Sequence, residues 1–99
     1  KECKSDRFPL HNIHEHQIEF MRQYEEQDGV AFIIIYFAKT DIFYYLTYKK
    51  MMEFVKRAEA GGPKSFTFDE LEPRFQISPY NGVFVHYLEP LNMDLEERE

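Results

Sequence analysis

The sequence contains no tryptophan and a single cysteine, Cys3. One thiol cannot close an intrachain disulfide, which fits a reducing compartment. Positive charge is also scarce. Twelve Lys and Arg stand against eighteen Asp and Glu, a formal net charge of −6. Phosphate binding wants clustered cations, so this balance counts against a simple nucleic-acid-coating surface. No apolar run approaches the ~20 residues of a membrane helix, and no signal-peptide pattern opens the chain. A starting methionine, internal repeats and low-complexity tracts are missing too. The abrupt start suggests a fragment, a processed chain or the ordered part of one. What abounds is aromatic: ten Phe and seven Tyr in 99 residues, with apolar residues at 43%. That is enough for one small core and one domain.

Residues 1–4 read as the end of a strand. Pro9 then breaks the chain, since its ring fixes φ and removes a donor. Asn12 with Glu15 predicts a helix N-cap with a partner three residues on. From Ile13 to Gln27, Ile13, Phe20, Met21 and Tyr24 share one helical face, and Glu15, Glu19, Arg22 and Glu26 the other. Asp28-Gly29 ends that helix. The run "VAFIIIYF" over 30–37 predicts a buried strand, "AKTD" a turn, and "IFYYLT" an antiparallel partner. Thr47 caps a second helix, with Tyr48, Met51, Met52, Val55 and Ala58 inward and Lys49, Glu53, Lys56 and Arg57 outward. "GGPKS" stops it, and Thr67 with Glu70 opens a short helical turn around Leu71. Two turns are expected, at Ser78-Pro79 and Asn81-Gly82. A final apolar segment at Val83–Leu88 is either strand or helix. "DLEERE" reads as a charged, frayed tail from residue 94. With a helix between them, the first two strands would pair parallel by a right-handed crossover. The fold class is therefore α/β, a mixed sheet with helices packed on it.

Few residues offer chemistry. Glu2 and Lys4 are two apart, so on a strand they project to one face. A carboxylate can hold a hard cation that activates water. The ammonium can stabilise charge developing on a phosphoryl group. The same spacing also describes a solvated surface ion pair. Gln17 falls in the middle of the apolar face of the first helix. Buried there without partners, it would cost roughly 1–3 kcal/mol. It is either bonded within the core or turned to the Glu2/Lys4 strand. His14 and His16 lie about 200° apart around a helix, so they do not converge on one metal. They serve as packing or capping groups, or approach DNA phosphates. Cys3 reads as a small core residue, not a nucleophile.

The stretches "FPLHNIHEHQIEFM", "QDGVAFIIIYF", "GGPKSFTFDELEP" and "YL" stand in the order and spacing of the RecU-type Holliday junction resolvases. The resemblance runs from about residue 2 to about residue 90. That family, also described as penicillin-binding protein-related factor A, carries a Glu-Ala-Lys triplet and belongs to the PD-(D/E)-x-K nucleases. The resemblance implies a restriction-endonuclease-like fold, of which these residues would be the C-terminal majority. It implies symmetric cleavage of four-way junction DNA by a homodimer using Mg2+ or Mn2+ in the bacterial cytoplasm, in recombination and repair. It makes Glu2 a metal ligand, Lys4 the motif lysine and Gln17 the helix residue nearest the site. His14, His16 and Arg7 become candidates for DNA contact.

This sequence departs from the family pattern in two places. Ser5-Asp6-Arg7 is shorter than the family's polar stretch before Phe-Pro-Leu. A shifted register would make Lys1 the motif lysine. The family's other acidic ligands and its basic N-terminal region precede the triplet and are not here. These 99 residues alone are thus expected to form an incomplete site. The rival readings are a non-catalytic relative or fragment that binds DNA or a recombinase, and another nuclease of the same superfamily.

Overall fold

The computed structural model describes residues 1–77 and 88–98. At its centre β3 (Phe32–Phe37) and β4 (Ile42–Thr47) pair antiparallel, with Phe32 opposite Thr47 and Phe37 opposite Ile42. Both segments are rich in β-branched and aromatic residues, which suit a pleated, half-buried surface. The turn between them passes through Asp41 at φ 53°, a left-handed conformation that aspartate tolerates. β1 (Glu2–Cys3) adds parallel to β3, and β6 (Gln76–Ile77) adds antiparallel to β4. The sheet is mixed, in the order β1-β3-β4-β6. α1 (Glu15–Glu26) is the crossover that a parallel pair requires.

A second, two-stranded sheet pairs β2 (Arg7–Pro9) with β5 (Ser65–Thr67). Pro9 does not break the chain outright. It ends a strand, where a missing N–H is tolerated. A 3-10 turn at Leu10–Asn12 follows, and Ile13 is extended and 3% exposed. Drawing Ile13 into the core delays the helix, so its N-cap is His14, not the expected Asn12. Gln17 Oε1 accepts from the His14 N–H at 3.0 Å and closes the first turn.

The buried side of α1 also differs from the expected face. Met21 is buried and Ile18 half-buried, whereas Phe20 is 69% and Tyr24 49% exposed. Their rings stack on each other, 6.4 Å apart. Helical periodicity marks both as inward, yet among the described residues both rings stay largely uncovered. α2 (Tyr48–Glu59) starts as expected, with Thr47 Oγ1 accepting from Lys50 N–H at 3.1 Å. It buries Met51 and also Phe54, one residue short of the expected Val55. Gly61, at φ 92°, turns the chain away from the helix end.

The core is mainly aromatic. Phe66 lies between Phe8, at 5.2 Å, and Phe54, at 4.4 Å, and Phe37 meets Phe68 edge-on. Fully burying such a side chain contributes ~1.5–3 kcal/mol. The Tyr44 hydroxyl accepts from Glu72 N–H at 3.1 Å. Burial pushes its pKa up to about 12, so it stays neutral.

α3 (Leu88–Glu97) replaces the expected free tail. Asp94 is 3% exposed and accepts from Tyr45 Oη at 2.6 Å and from Arg98 Nε at 2.9 Å. Arg98 also bonds Glu25 of α1, whose other oxygen accepts from Ala31 N–H at 2.6 Å. A buried carboxylate persists only where such donors compensate its desolvation, and here they dock the end of the chain. The expected turns at Ser78-Pro79 and Asn81-Gly82, and the apolar segment from Val83, lie outside the described residues. Among the described residues no helix is long and apolar enough to cross a membrane.

Candidate functional site

β1 is short but well anchored. Lys1 donates from its amino group to Ile34 O at 2.9 Å and accepts from Tyr36 N–H at 2.7 Å. Cys3 O accepts from Ala38 N–H at 2.9 Å. This parallel register sets Glu2 opposite Tyr36 and Cys3 opposite Phe37. Alternation along the strand then sorts the side chains. Cys3, 4% exposed, faces the core with Phe37, and Lys1 projects to that same side. Glu2 projects to the opposite side beside Tyr36. Glu2 is exposed, and so is Lys4, which lies just beyond the strand.

Tyr36 donates to Asp41 Oδ1 at 2.6 Å. That hydrogen bond, chiefly, raises its pKa, and the charges of Asp41 and Glu2 add to the effect. The Glu2 carboxylate therefore lies within electrostatic reach of the Tyr36 hydroxyl.

Gln17 is half-buried and does turn towards β1. Its partner there is Lys1 Nζ, at 3.2 Å from Oε1, and not Lys4. The structure thus brings Lys1 and Gln17 together on one side of β1 and Glu2 with Tyr36 on the other. Among the described residues β1 is the outermost strand of the sheet. Sequence reading raised Lys1 only as an alternative register. It missed Tyr36, whose place opposite Glu2 follows from a register that two strands far apart in sequence do not reveal.

The segment after the triplet closes with the residues present. Cys3 Sγ lies 3.3 Å from Ser5 O and 3.2 Å from Arg7 O. Ser5 Oγ accepts from Arg7 N–H at 3.1 Å, and Phe68 N–H donates to Asp6 O at 2.7 Å. Three residues therefore suffice to pass from the main sheet to the small one. Arg7 donates to Ser65 Oγ at 2.8 Å, which commits part of its guanidinium. His14 and His16 are exposed, with near-parallel rings 5.6 Å apart. Among the described residues no three His, Cys, Asp or Glu side chains gather closely enough to hold a metal.

A mixed sheet whose first strand opens a Glu-x-Lys triplet, followed by a helix whose glutamine turns back to the start of that strand, is consistent with the restriction-endonuclease-like class. The model of the RecU family, recombination protein U, matches residues 1–93, and the chain belongs to that family. It is similar to proteins called Holliday junction resolvase RecU. That of Bacillus subtilis (strain 168) is 48% identical over 65 residues, 66% of this chain and 31% of that protein. That of Bacillus cereus (strain B4264) is 48% identical over 65 residues, 66% of this chain and 32% of that protein. That of Staphylococcus aureus (strain JH9) is 41% identical over 73 residues, 74% and 35% of the two chains. The chain spans about a third of the length of these curated relatives.

Proposed function

We propose that this chain is the catalytic segment of a structure-specific DNA endonuclease that resolves Holliday junctions in recombination and repair. One observation carries the reading. A strand bearing Glu2, with Lys4 just beyond its end, is joined by α1, whose Gln17 turns back to the start of that strand. Membership of a family whose relatives are named as resolvases supplies the substrate class. In this reading Glu2 is an acidic ligand and Lys4 places its ammonium against the charge that builds on the scissile phosphate. Gln17 holds Lys1, and His14 and His16 supply donors to flanking phosphates, with Arg7 a weaker contributor. The protein works as a cytoplasmic homodimer with junction DNA, and a recombinase is a candidate partner.

The family resemblance implies magnesium or manganese, whose role would be to activate the attacking water. The described residues do not by themselves fit such an ion. Hard cations take about six or more oxygen ligands, and Glu2 brings one carboxylate. The isolated chain should bind magnesium feebly and leave junctions intact.

The rival reading is a non-catalytic DNA-binding relative. A graft decides between them. This chain replaces the matching segment of the Bacillus subtilis relative, and cleavage of a four-way junction is followed with magnesium or manganese. The proposal expects cleavage, and its loss in Glu2→Ala and Lys4→Ala. A folded graft that binds junctions without cutting supports the rival. Equal cutting of linear duplexes points instead to a nuclease of other specificity.

A further inference from the structure

We propose that the groove between α1 and the start of β3 takes one unpaired nucleotide of a DNA strand, its phosphate at Lys1 and His16 and its base against Phe20. The inference rests on the reading of the chain as a DNA-acting protein and names the form of DNA this side accepts. The groove has a volume of about 450 Å3, within the ~300–1,000 Å3 typical of small-ligand sites.

Its lining combines two chemistries. Lys1, His16 and Gln17 supply the polar part, and among the described lining residues there is no carboxylate. In a chain of net charge −6 that is a local departure from the overall sign. Gln17 uses Oε1 to accept from Lys1 Nζ and from His14 N–H. Its Nε2 has no hydrogen-bond partner among the described residues and remains able to donate. An ammonium, an imidazole N–H and an amide NH2 together form a set of donors that suits a phosphate.

The rest of the lining is apolar. Phe20 stands 69% exposed, with Met21 and Ile33 beside it. The Tyr24 ring stacks beside that of Phe20. A flat apolar face next to phosphate donors matches the two halves of a nucleotide. A base within a duplex has both faces covered by its neighbours. Only an unpaired base can present one to Phe20.

The test uses the 99-residue chain. A labelled thymidine hexamer is titrated by fluorescence anisotropy over a range of salt, and amide shifts are followed by NMR. Shifts should centre on Lys1, His16, Gln17, Phe20 and Ile33. Phe20→Ala should weaken binding about tenfold, the size of one lost base stack. Lys1→Gln should make the log–log salt dependence shallower by ~0.7. A hexamer without bases should bind no better to the parent than the thymidine hexamer binds to Phe20→Ala. Parent-like affinity in Phe20→Ala, full binding of the baseless strand, or shifts centred elsewhere would overturn the proposal. So would thymidine monophosphate binding as tightly as the hexamer, since a strand would then be unnecessary. The two readings fail separately. Hexamer binding as described beside an inactive graft removes only the nuclease reading. A graft that cuts and binds junctions equally well with Phe20→Ala removes only this one.

Discussion

The edge at β1 and the aromatic centre around Phe66 are built on opposite terms. Phe66 is fully enclosed, with Phe8 and Phe54 on its two sides. Glu2, Lys4 and Phe20 are exposed, and β1 is two residues long. The first region can lose little without losing the fold. The second rests on backbone hydrogen bonds to β3, so its side chains are spared for contacts with something else. Stability and function should therefore separate by region, and four substitutions probe that separation.

The largest effect is expected at Phe66. Phe66→Ala should cost about 3–5 kcal/mol, since a cavity opens between two rings. Urea unfolding followed by circular dichroism measures it. A loss under 1 kcal/mol would mean that the centre does not carry the fold.

Asp94→Ala comes next. It strips the Tyr45 hydroxyl and Arg98 of their shared acceptor. A loss of about 1–3 kcal/mol is expected, with faster amide exchange confined to α3. Exchange unchanged along α3 would show that this carboxylate does not dock the helix.

A smaller effect is expected at Glu70. Arg57 donates to it at 2.6 Å, and Thr67 N–H adds a second bond at 2.8 Å. Together they hold its pKa at about 2, below the ordinary value of 4.5. A carboxyl whose pKa is depressed on folding stabilises above its unfolded value and loses that stabilisation as pH falls towards the folded one. The pair is about one-third exposed, so the contribution should stay below about 1 kcal/mol. It should fade between pH 4.5 and pH 2. Glu70→Gln should remove this part of the pH dependence, read from unfolding midpoints across that range.

The smallest stability effect belongs to the edge. Gln17→Leu should cost ~0.5 kcal/mol, the low end for a lost bond at a helix start because this one is exposed, yet impair junction cleavage in the graft. A large loss of stability with normal cleavage would reassign Gln17 to the core.

The same contrast explains what the sequence revealed. The β3–β4 hairpin, the Thr47 cap and the Thr67–Glu70 turn were legible because each is made by neighbours in the chain. The pairing of β2 with β5 was not, since two three-residue strands meet across a wide gap in sequence. Asp94 was read as part of a tail because its partner Tyr45 lies 49 positions away. Phe20 and Tyr24 follow the helical period faithfully, but periodicity carries no information about how far the opposing sheet extends. At the site, the Glu-x-Lys spacing pointed to a strand over residues 1–4, but the strand ends at Cys3 and leaves Lys4 in the bend that follows. Which lysine meets Gln17 depended on the register of β1 against β3.

If this edge performs phosphodiester hydrolysis, cleavage depends on both Glu2 and Lys4. The most direct test is the four-way junction cleavage rate of the graft and of its Lys4→Ala variant, at one magnesium and one salt concentration, with both melting temperatures recorded. The account predicts equal melting temperatures and cleavage reduced to background in the variant. Cleavage by Lys4→Ala at the rate of the parent would contradict it.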